Sequence, residues 1–289
     1  MEPRRQAHTR RMIGALLNPL PSVRSLTARV RPGPDRIAGR TILVTGASSG
    51  VGEAAATAFA ERGAAVILVA RGADDLAVVR DRIAAAGGVA HSVPCDLTTQ
   101  DDVEALAARV NSDLGPVDVL VNNAGRSIRR TVTESLDRFH DYERTMALNY
   151  FGPVRLTLAL LPGMLDRGHG HVVNVATWGV PGGVMPRFGA YHASKAAISA
   201  FGRDLGAEVD GSGVAVTTVH FPLIRTPMIA PTQDYDRMPA LTAEQAAGWL
   251  VDAVRTRPVE IAPAYAELLR YLGAVAPGVA NSLVRRAGI

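Results

Sequence analysis

The chain has 289 residues, 47% apolar and 20% charged, with 31 Lys and Arg against 27 Asp and Glu for a net charge of +4. That length suits one α/β domain with tails, and the single cysteine, Cys95, excludes a disulfide framework as well as four-thiolate zinc or iron–sulfur sites. The longest uninterrupted apolar run, 64–70, has seven residues against the roughly 18 needed to span a bilayer, so the chain reads as cytoplasmic with at most peripheral membrane contact.

The positive charge is concentrated at the start. Residues 1–36 carry Arg4, Arg5, Arg10, Arg11, Arg24, Arg29, Arg31 and Arg36 against Glu2 and Asp35, which leaves the rest of the chain slightly acidic. Pro19, Pro21, Pro32 and Pro34 prevent one long helix, although 11–17 has the pattern of an amphipathic turn or two. No run of aromatics interleaves with the arginines as single-stranded nucleic-acid binders require, so no nucleic-acid partner is expected. This segment reads as a solvated basic tail, with contact to an anionic membrane surface left open.

From residue 41, short β-branched runs alternate with segments of helical period. Strands are predicted at 41–45, 65–70, 89–93, 117–121, 171–175 and 214–220, and helices at 50–62, 74–86, 100–114, 137–165, 191–209 and 242–255. Strands apolar on both faces and separated by helices imply a single Rossmann-like, doubly wound parallel sheet with helices on both faces, its ligands at the carboxyl ends of the strands. The domain is placed at 37–258, with a Pro-rich lid at about 227–240 and an apolar C-terminal tail at 259–289 that Pro277 interrupts. That tail could pack on the lid, on another subunit or on a membrane surface, and packing is preferred because its positive charges, Arg270, Arg285 and Arg286, are few.

The first strand runs into Thr45-Gly46-Ala47-Ser48-Ser49-Gly50-Val51-Gly52 and then a helix, so backbone N–H groups and the helix N-terminus form an anion site. Gly46, Ser48, Ser49, Gly50, Val51 and Gly52 are the expected phosphate cradle of a dinucleotide. The second strand ends in Arg71, 19 residues past Gly52, where a site that prefers NADH usually carries an acid. A guanidinium there suits a 2′-phosphate, so NADPH is expected over NADH. His169 and His171 flank a glycine, have no third ligand spaced to join them, and read as surface residues; no metal site is expected. Asp74 and Asp75 suit the first turn of a helix.

Of the 31 basic residues only Lys195 is lysine, and it follows Tyr191 by one helical turn in Tyr191-His192-Ala193-Ser194-Lys195. A neighbouring ammonium favours phenolate, so Lys195 is expected to lower the pKa of Tyr191 toward working pH and make it a general acid.

Thr45-Gly-x-x-x-Gly-x-Gly52, Asn122-Asn123-Ala124-Gly125, Asn149 and Tyr191-x-x-x-Lys195 together resemble the short-chain dehydrogenase/reductase superfamily in order and spacing, over roughly 37–257. The resemblance implies an NAD(P)-dependent oxidoreductase. Asp96 and Leu97 would flank the adenine, Asn123, Ala124 and Gly125 would line the cofactor groove, and Pro222, Ile224 and Thr226 would meet the carboxamide. Tyr191 would be the proton donor, Lys195 its modulator and a ribose ligand, and Asn149 the anchor of a proton-relay water. Where the superfamily expects Ser 13 residues before the Tyr, this chain has Thr177 14 residues before it, the extra residue falling in Pro181-Gly182-Gly183. Thr177 keeps the hydroxyl that polarises a carbonyl, with Trp178 shaping the pocket. Dimers or tetramers through 137–165 and 191–209 are implied as well.

Segments 123–130, 137–146, 148–152 and 222–232 look like the bacterial long-chain fatty acyl-CoA reductases of that superfamily. That narrower likeness implies an acyl-CoA substrate reduced to an aldehyde, an apolar lid from Met228 to Met238, and Arg126, Arg129, Arg130, Arg187 and Arg225 at the mouth for CoA phosphates. Surface pairing of those arginines with Glu134, Asp137, Asp141 and Glu143 is the competing reading. The alternatives in function are a ketone, 3-oxoacyl or alcohol oxidoreductase of the same superfamily, or a non-catalytic nucleotide sensor.

Overall fold

The computed structural model describes residues 16–19, 36–230, 235 and 238–286. Seven strands, β1 (Thr41–Thr45), β2 (Ala65–Ala70), β3 (Val89–Pro94), β4 (Val119–Asn122), β5 (Gly170–Thr177), β6 (Val214–Phe221) and β7 (Glu260–Ile261), form one sheet in the order β3-β2-β1-β4-β5-β6-β7. Every pairing is parallel. The order reverses between β1 and β4, the switch point at which a doubly wound sheet opens a crevice.

The period of two along each strand divides the core. Ile42, Val44, Val66 and Leu68 pack on one face with Phe59 and Leu250, whereas Leu43, Ile67, Val69 and Leu120 pack on the other with Leu106 and Leu156. Phe59 belongs to α1 (Gly50–Ala60) and is fully buried; truncation to Ala would cost about 3–5 kcal/mol. The other helices between the strands are α2 (Ala73–Ala85), α3 (Gln100–Arg109), α4 (Phe139–Met146), α5 (Gly152–Asp166), the short α6 (Gly179–Gly182) and α7 (Gly189–Glu208). α8 (Ala243–Thr256) starts at a reciprocal capping box between Thr242 and Gln245.

Two predicted helices are interrupted. Segment 100–114 ends in a π-helical turn at Val110–Leu114, and 137–165 is broken into α4 and α5 by a π-helical turn at Ala147–Phe151 that holds Asn149. Apolar periodicity passes through a π turn almost unchanged, so only the backbone reveals it. The predicted domain boundary also falls short, because β7 lies beyond 258 and pairs with β6. The apolar segment after it forms α9 (Ala264–Val275) and α10 (Pro277–Arg286), Pro277 serving as the first residue of a new helix, where its missing N–H is harmless. Ala266 and Val284 of this pair are buried with Trp178, and Tyr265 and Leu269 pack beside them.

Of the predicted basic tail, residues 1–15, 20–35 and most of 11–17 lie outside the described residues. So do 231–234, 236 and 237 of the predicted lid. Among the described residues no helix is long and apolar enough to cross a membrane.

Candidate active site

A cavity of about 980 Å³ opens at the carboxyl ends of β1, β2, β4, β5 and β6. On one side it is bounded by the turn from β1 into α1. Gly46 (φ +66°) and Gly50 (φ +58°) occupy the left-handed region there. A Cβ on Gly46 would stand 2.9 Å from the Ala124 Cα, so only glycine lets the two turns meet. Ser49, at the N-cap of α1, makes no side-chain cap bond. The first N–H groups of a helix lack intrahelical partners, so this turn meets the requirements of a phosphate cradle. Gly46, Ser48, Ser49, Gly50 and Val51 all line the cavity. Gly52 does not: it is buried behind the turn, where a Cβ would come within 2.1 Å of the Gly46 carbonyl oxygen, so its role is packing.

The facing turn is held by Thr45, whose hydroxyl donates to the Val121 carbonyl and accepts from the Asn123 and Ala124 N–H groups. The Asn123 amide donates to the Thr45 carbonyl at 2.9 Å. Asn123, Ala124 and Gly125 line the cavity, together with Leu97, Arg71, Pro222, Ile224 and Thr226. Asp96 departs from expectation. Its carboxylate accepts from the Thr98 N–H and hydroxyl, bonds that hold it below the usual carboxylate range, and it does not line the cavity. Cys95 lines it instead, with burial, then Asp102 and Asp96, pushing the thiol up to about 11.

Asn149, buried in the π-helical turn, spends its side chain on structure. It accepts from the Arg126 N–H and donates to the Arg126 carbonyl and to the Ser194 hydroxyl, each at 2.9 Å. It thereby ties the loop after Gly125 to α7. A Cβ on Gly125 would sit 3.3 Å from both Asn149 Oδ1 and Lys195 Nζ, so the glycine leaves room for those groups to converge.

The β5–β6 register pairs Thr177 with Phe221 and places Thr177 at the cavity end of β5. α7 brings Tyr191 and Lys195 to the same wall, and all three line the cavity. The Thr177 hydroxyl, 4.0 Å from the Met185 Sδ, acts to lower the Tyr191 pKa. The expected electrostatics are corrected here. Lys195 Nζ donates to the Val175 carbonyl at 2.8 Å, and burial pushes its pKa down to about 8. Burial pushes the Tyr191 phenol up to about 12, and the Thr177 hydroxyl only partly opposes that. Desolvation therefore outweighs any acidification of Tyr191 by the ammonium.

Several neighbours had no sequence signal. Phe188 packs edge-on against Tyr191 with ring centroids 6.2 Å apart. Tyr235, buried in the lid, raises the Tyr191 pKa further and lies under the Arg129 guanidinium at 5.6 Å. With Trp178, Met185, Leu223, Met228 and Ile229 these form the apolar half of the cavity. His220, fully buried on β6, lies 3.2 Å from the Thr177 carbonyl through Nδ1 and 3.6 Å from Glu260 through Nε2. His220 and then Arg270 hold the Glu260 carboxyl far below its ordinary range.

The expected arginine cluster separates. Arg129 lines the cavity, whereas Arg130 joins Arg138 and Arg144 around the buried Asp141 carboxylate, as the surface-pair reading anticipates. Arg225 donates to the Met238 carbonyl. His171 is a correction: it is fully buried, its Nε2 2.9 Å from the Thr217 hydroxyl, because β5 is covered on both faces where His171 falls.

The family model described as short chain dehydrogenase matches residues 40–236. The chain is 52% identical over 253 residues to a protein of Mycobacterium tuberculosis named fatty acyl-CoA reductase, covering 88% of this chain and 86% of that one. It is 47% identical over 250 residues to a fatty acyl-CoA reductase of Acinetobacter baylyi, covering 86% and 84%. Among solved structures, one of a putative NAD(P)-dependent gluconate 5-dehydrogenase from Beutenbergia cavernae, with bound NADP, matches with a TM-score of 0.73 at 31% identity, covering 82% of this chain and 99% of that one.

Proposed function

From the premise that this chain belongs to the short-chain dehydrogenase family, we propose that it reduces long-chain fatty acyl-CoA to fatty aldehyde with NADPH. The family fold binds NAD(P), and the glycine turn, without a side chain at Gly46 and Gly50 and leading into a helix N-terminus, fits a pyrophosphate. Arg71, at the carboxyl end of β2 and on the cavity wall, favours a 2′-phosphate and hence NADPH. The names of the relatives and the apolar half of the cavity support the acyl chain.

The observation that carries the chemistry is that Thr177, Tyr191 and the buried Lys195 line the same cavity as the glycine turn. When bound, the cofactor supplies a hydride. Thr177 donates a hydrogen bond to the substrate carbonyl and so disperses the charge that develops on its oxygen. Tyr191, held protonated by its raised pKa, delivers the proton to that oxygen. Lys195, within reach of the space beside Gly125, returns a proton to Tyr191 through solvent and would also hold the cofactor's ribose. Asn149 acts as a positioning residue by fixing the Arg126 backbone and Ser194. With a thioester, the hemithioacetal so formed loses its hydroxyl proton as the thiolate leaves and is protonated, giving aldehyde and free thiol; with a ketone the reaction stops at the alcohol.

The test is NADPH oxidation with palmitoyl-CoA, with a simple ketone and with no substrate, followed by product identification and repeated with Tyr191→Phe. Hexadecanal and free CoA in equal amounts, lost in the variant by about 100-fold or more, support the reading. Turnover of the ketone alone assigns the chain to carbonyl reduction at large, and NADPH binding without any turnover points to a sensor.

A further inference from the structure

His220 is a polar side chain at a place where a covered strand calls for an apolar one. It lies on β6, fully buried, between the buried Val219 and Phe221. Its Nδ1 meets the Thr177 carbonyl at 3.2 Å. Its Nε2 is buried without a hydrogen-bond partner among the described residues, and the Glu260 Oε1 stands 3.6 Å in front of it. A carbonyl oxygen can only accept, so the contact with Thr177 requires the proton on Nδ1. A buried nitrogen left without a partner costs stability, so an aliphatic side chain would serve packing better than this ring does.

The contact falls on a single peptide unit. The carbonyl of the Thr177–Trp178 peptide faces His220, and its N–H donates to the Phe221 carbonyl at 2.9 Å. Both poles of that peptide are therefore held from β6, at the point where β5 ends and the chain turns toward α6. Threonine is stiff at χ1, so the direction of the Thr177 hydroxyl follows its backbone. The carboxylate in front of Nε2 is fixed in turn. Glu260 accepts from Arg203 of α7 at 3.0 Å and from Arg270 of α9 at 2.7 Å.

We infer that His220 is a positioning residue for the reduction: by clamping the Thr177–Trp178 peptide, with Glu260 aligning its ring, it sets the direction in which the Thr177 hydroxyl meets the substrate carbonyl. The inference rests on the role proposed for Thr177 above. His220 does not line the cavity, so its influence on the chemistry passes through Thr177.

A double-mutant cycle with Thr177→Ala tests this, using the full chain, NADPH and whichever of palmitoyl-CoA and a simple ketone is reduced. His220→Leu should lower kcat by about 10- to 100-fold, as misplacement of a reacting contact does, and leave KM and NADPH binding nearly unchanged. On the Thr177→Ala background the same replacement should cost nothing further. His220→Asn, whose amide nitrogen can take the place of Nδ1, should restore most of the lost kcat. If His220→Leu does not fold, Glu260→Gln replaces it in the cycle, with a several-fold loss of kcat in the parent and none on Thr177→Ala. Unchanged kcat in the folded variant, a loss that adds to that of Thr177→Ala, a rise in KM alone, or no recovery with Asn would overturn the inference and leave the proposed reaction standing. Full activity of Thr177→Ala, or a parent that reduces neither substrate, removes the reading beneath it and the inference with it.

Discussion

Lys195 Nζ is hydrogen-bonded to the Val175 carbonyl at 2.8 Å and is buried in the wall of the cavity. Its charge is thus retained at a desolvation cost that the native fold bears before any ligand binds. With the ammonium pushed down from an ordinary 10.5 to about 8, the unfolded chain binds the proton more tightly. The penalty is fully present below pH 8 and is relieved as pH rises from 8 through 10.5, and it amounts to about 3 kcal/mol. Replacing Lys195 by Met removes the charge and also the bond to Val175. The Met variant should be more stable than the parent by about 2 kcal/mol at pH 7 and almost inactive. Denaturant unfolding at pH 7 and 10 checks this; a variant less stable at pH 7 contradicts it.

The same two residues set the pH dependence of reduction. Tyr191, pushed up to about 12, stays a proton donor throughout the neutral range, whereas Lys195 loses its proton near 8. The rate of reduction should therefore be level below about pH 7.5 and decline above 8, with the descending limb assigned to Lys195. The kcat profile from pH 6 to 10 measures it, and a limb that rises across pH 8 would contradict the assignment.

Arg71 lies at the end of β2 on the cavity wall, where its charge also lowers the Asp96 pKa. Arg71→Ser should reduce kcat/KM for NADPH by about 10- to 100-fold, in keeping with the loss of one charge-assisted contact, and leave NADH within a few-fold of its starting value. Parallel losses for both cofactors would mean that Arg71 does not read the 2′-phosphate.

His171, on β5, is fully buried and pushed down to about 3, by burial first and then by Arg257, Arg36 and His169. Between about 3 and the ordinary 6.5 the unfolded chain binds a proton that the native chain does not, so stability falls as pH drops below 6.5, by several kcal/mol at the limit. His171→Gln keeps an amide near the Thr217 hydroxyl without the titration. It should flatten the pH dependence of unfolding between pH 6 and 4 by roughly one proton, as read from denaturant midpoints at successive pH values.

The positions of six strands and the main helices, the parallel doubly wound class, the glycine turn, Arg71 and the Tyr191–Lys195 pair are all local matters: apolar period, turn chemistry and helical spacing write them into consecutive residues. Lys195 bonding Val175 rather than acidifying Tyr191, Asn149 sitting in a π turn, Asp96 facing Thr98, His220 lying between Thr177 and Glu260, and Tyr235 lining the same cavity as Tyr191 were decided only when the chain packed. Most of these partners are remote along the chain. Which of two acceptors a side chain reaches, and how much water it loses on the way, depends on the register of β5 with β6 and on the seating of α7 and the lid, and no window of sequence contains both ends of such a contact.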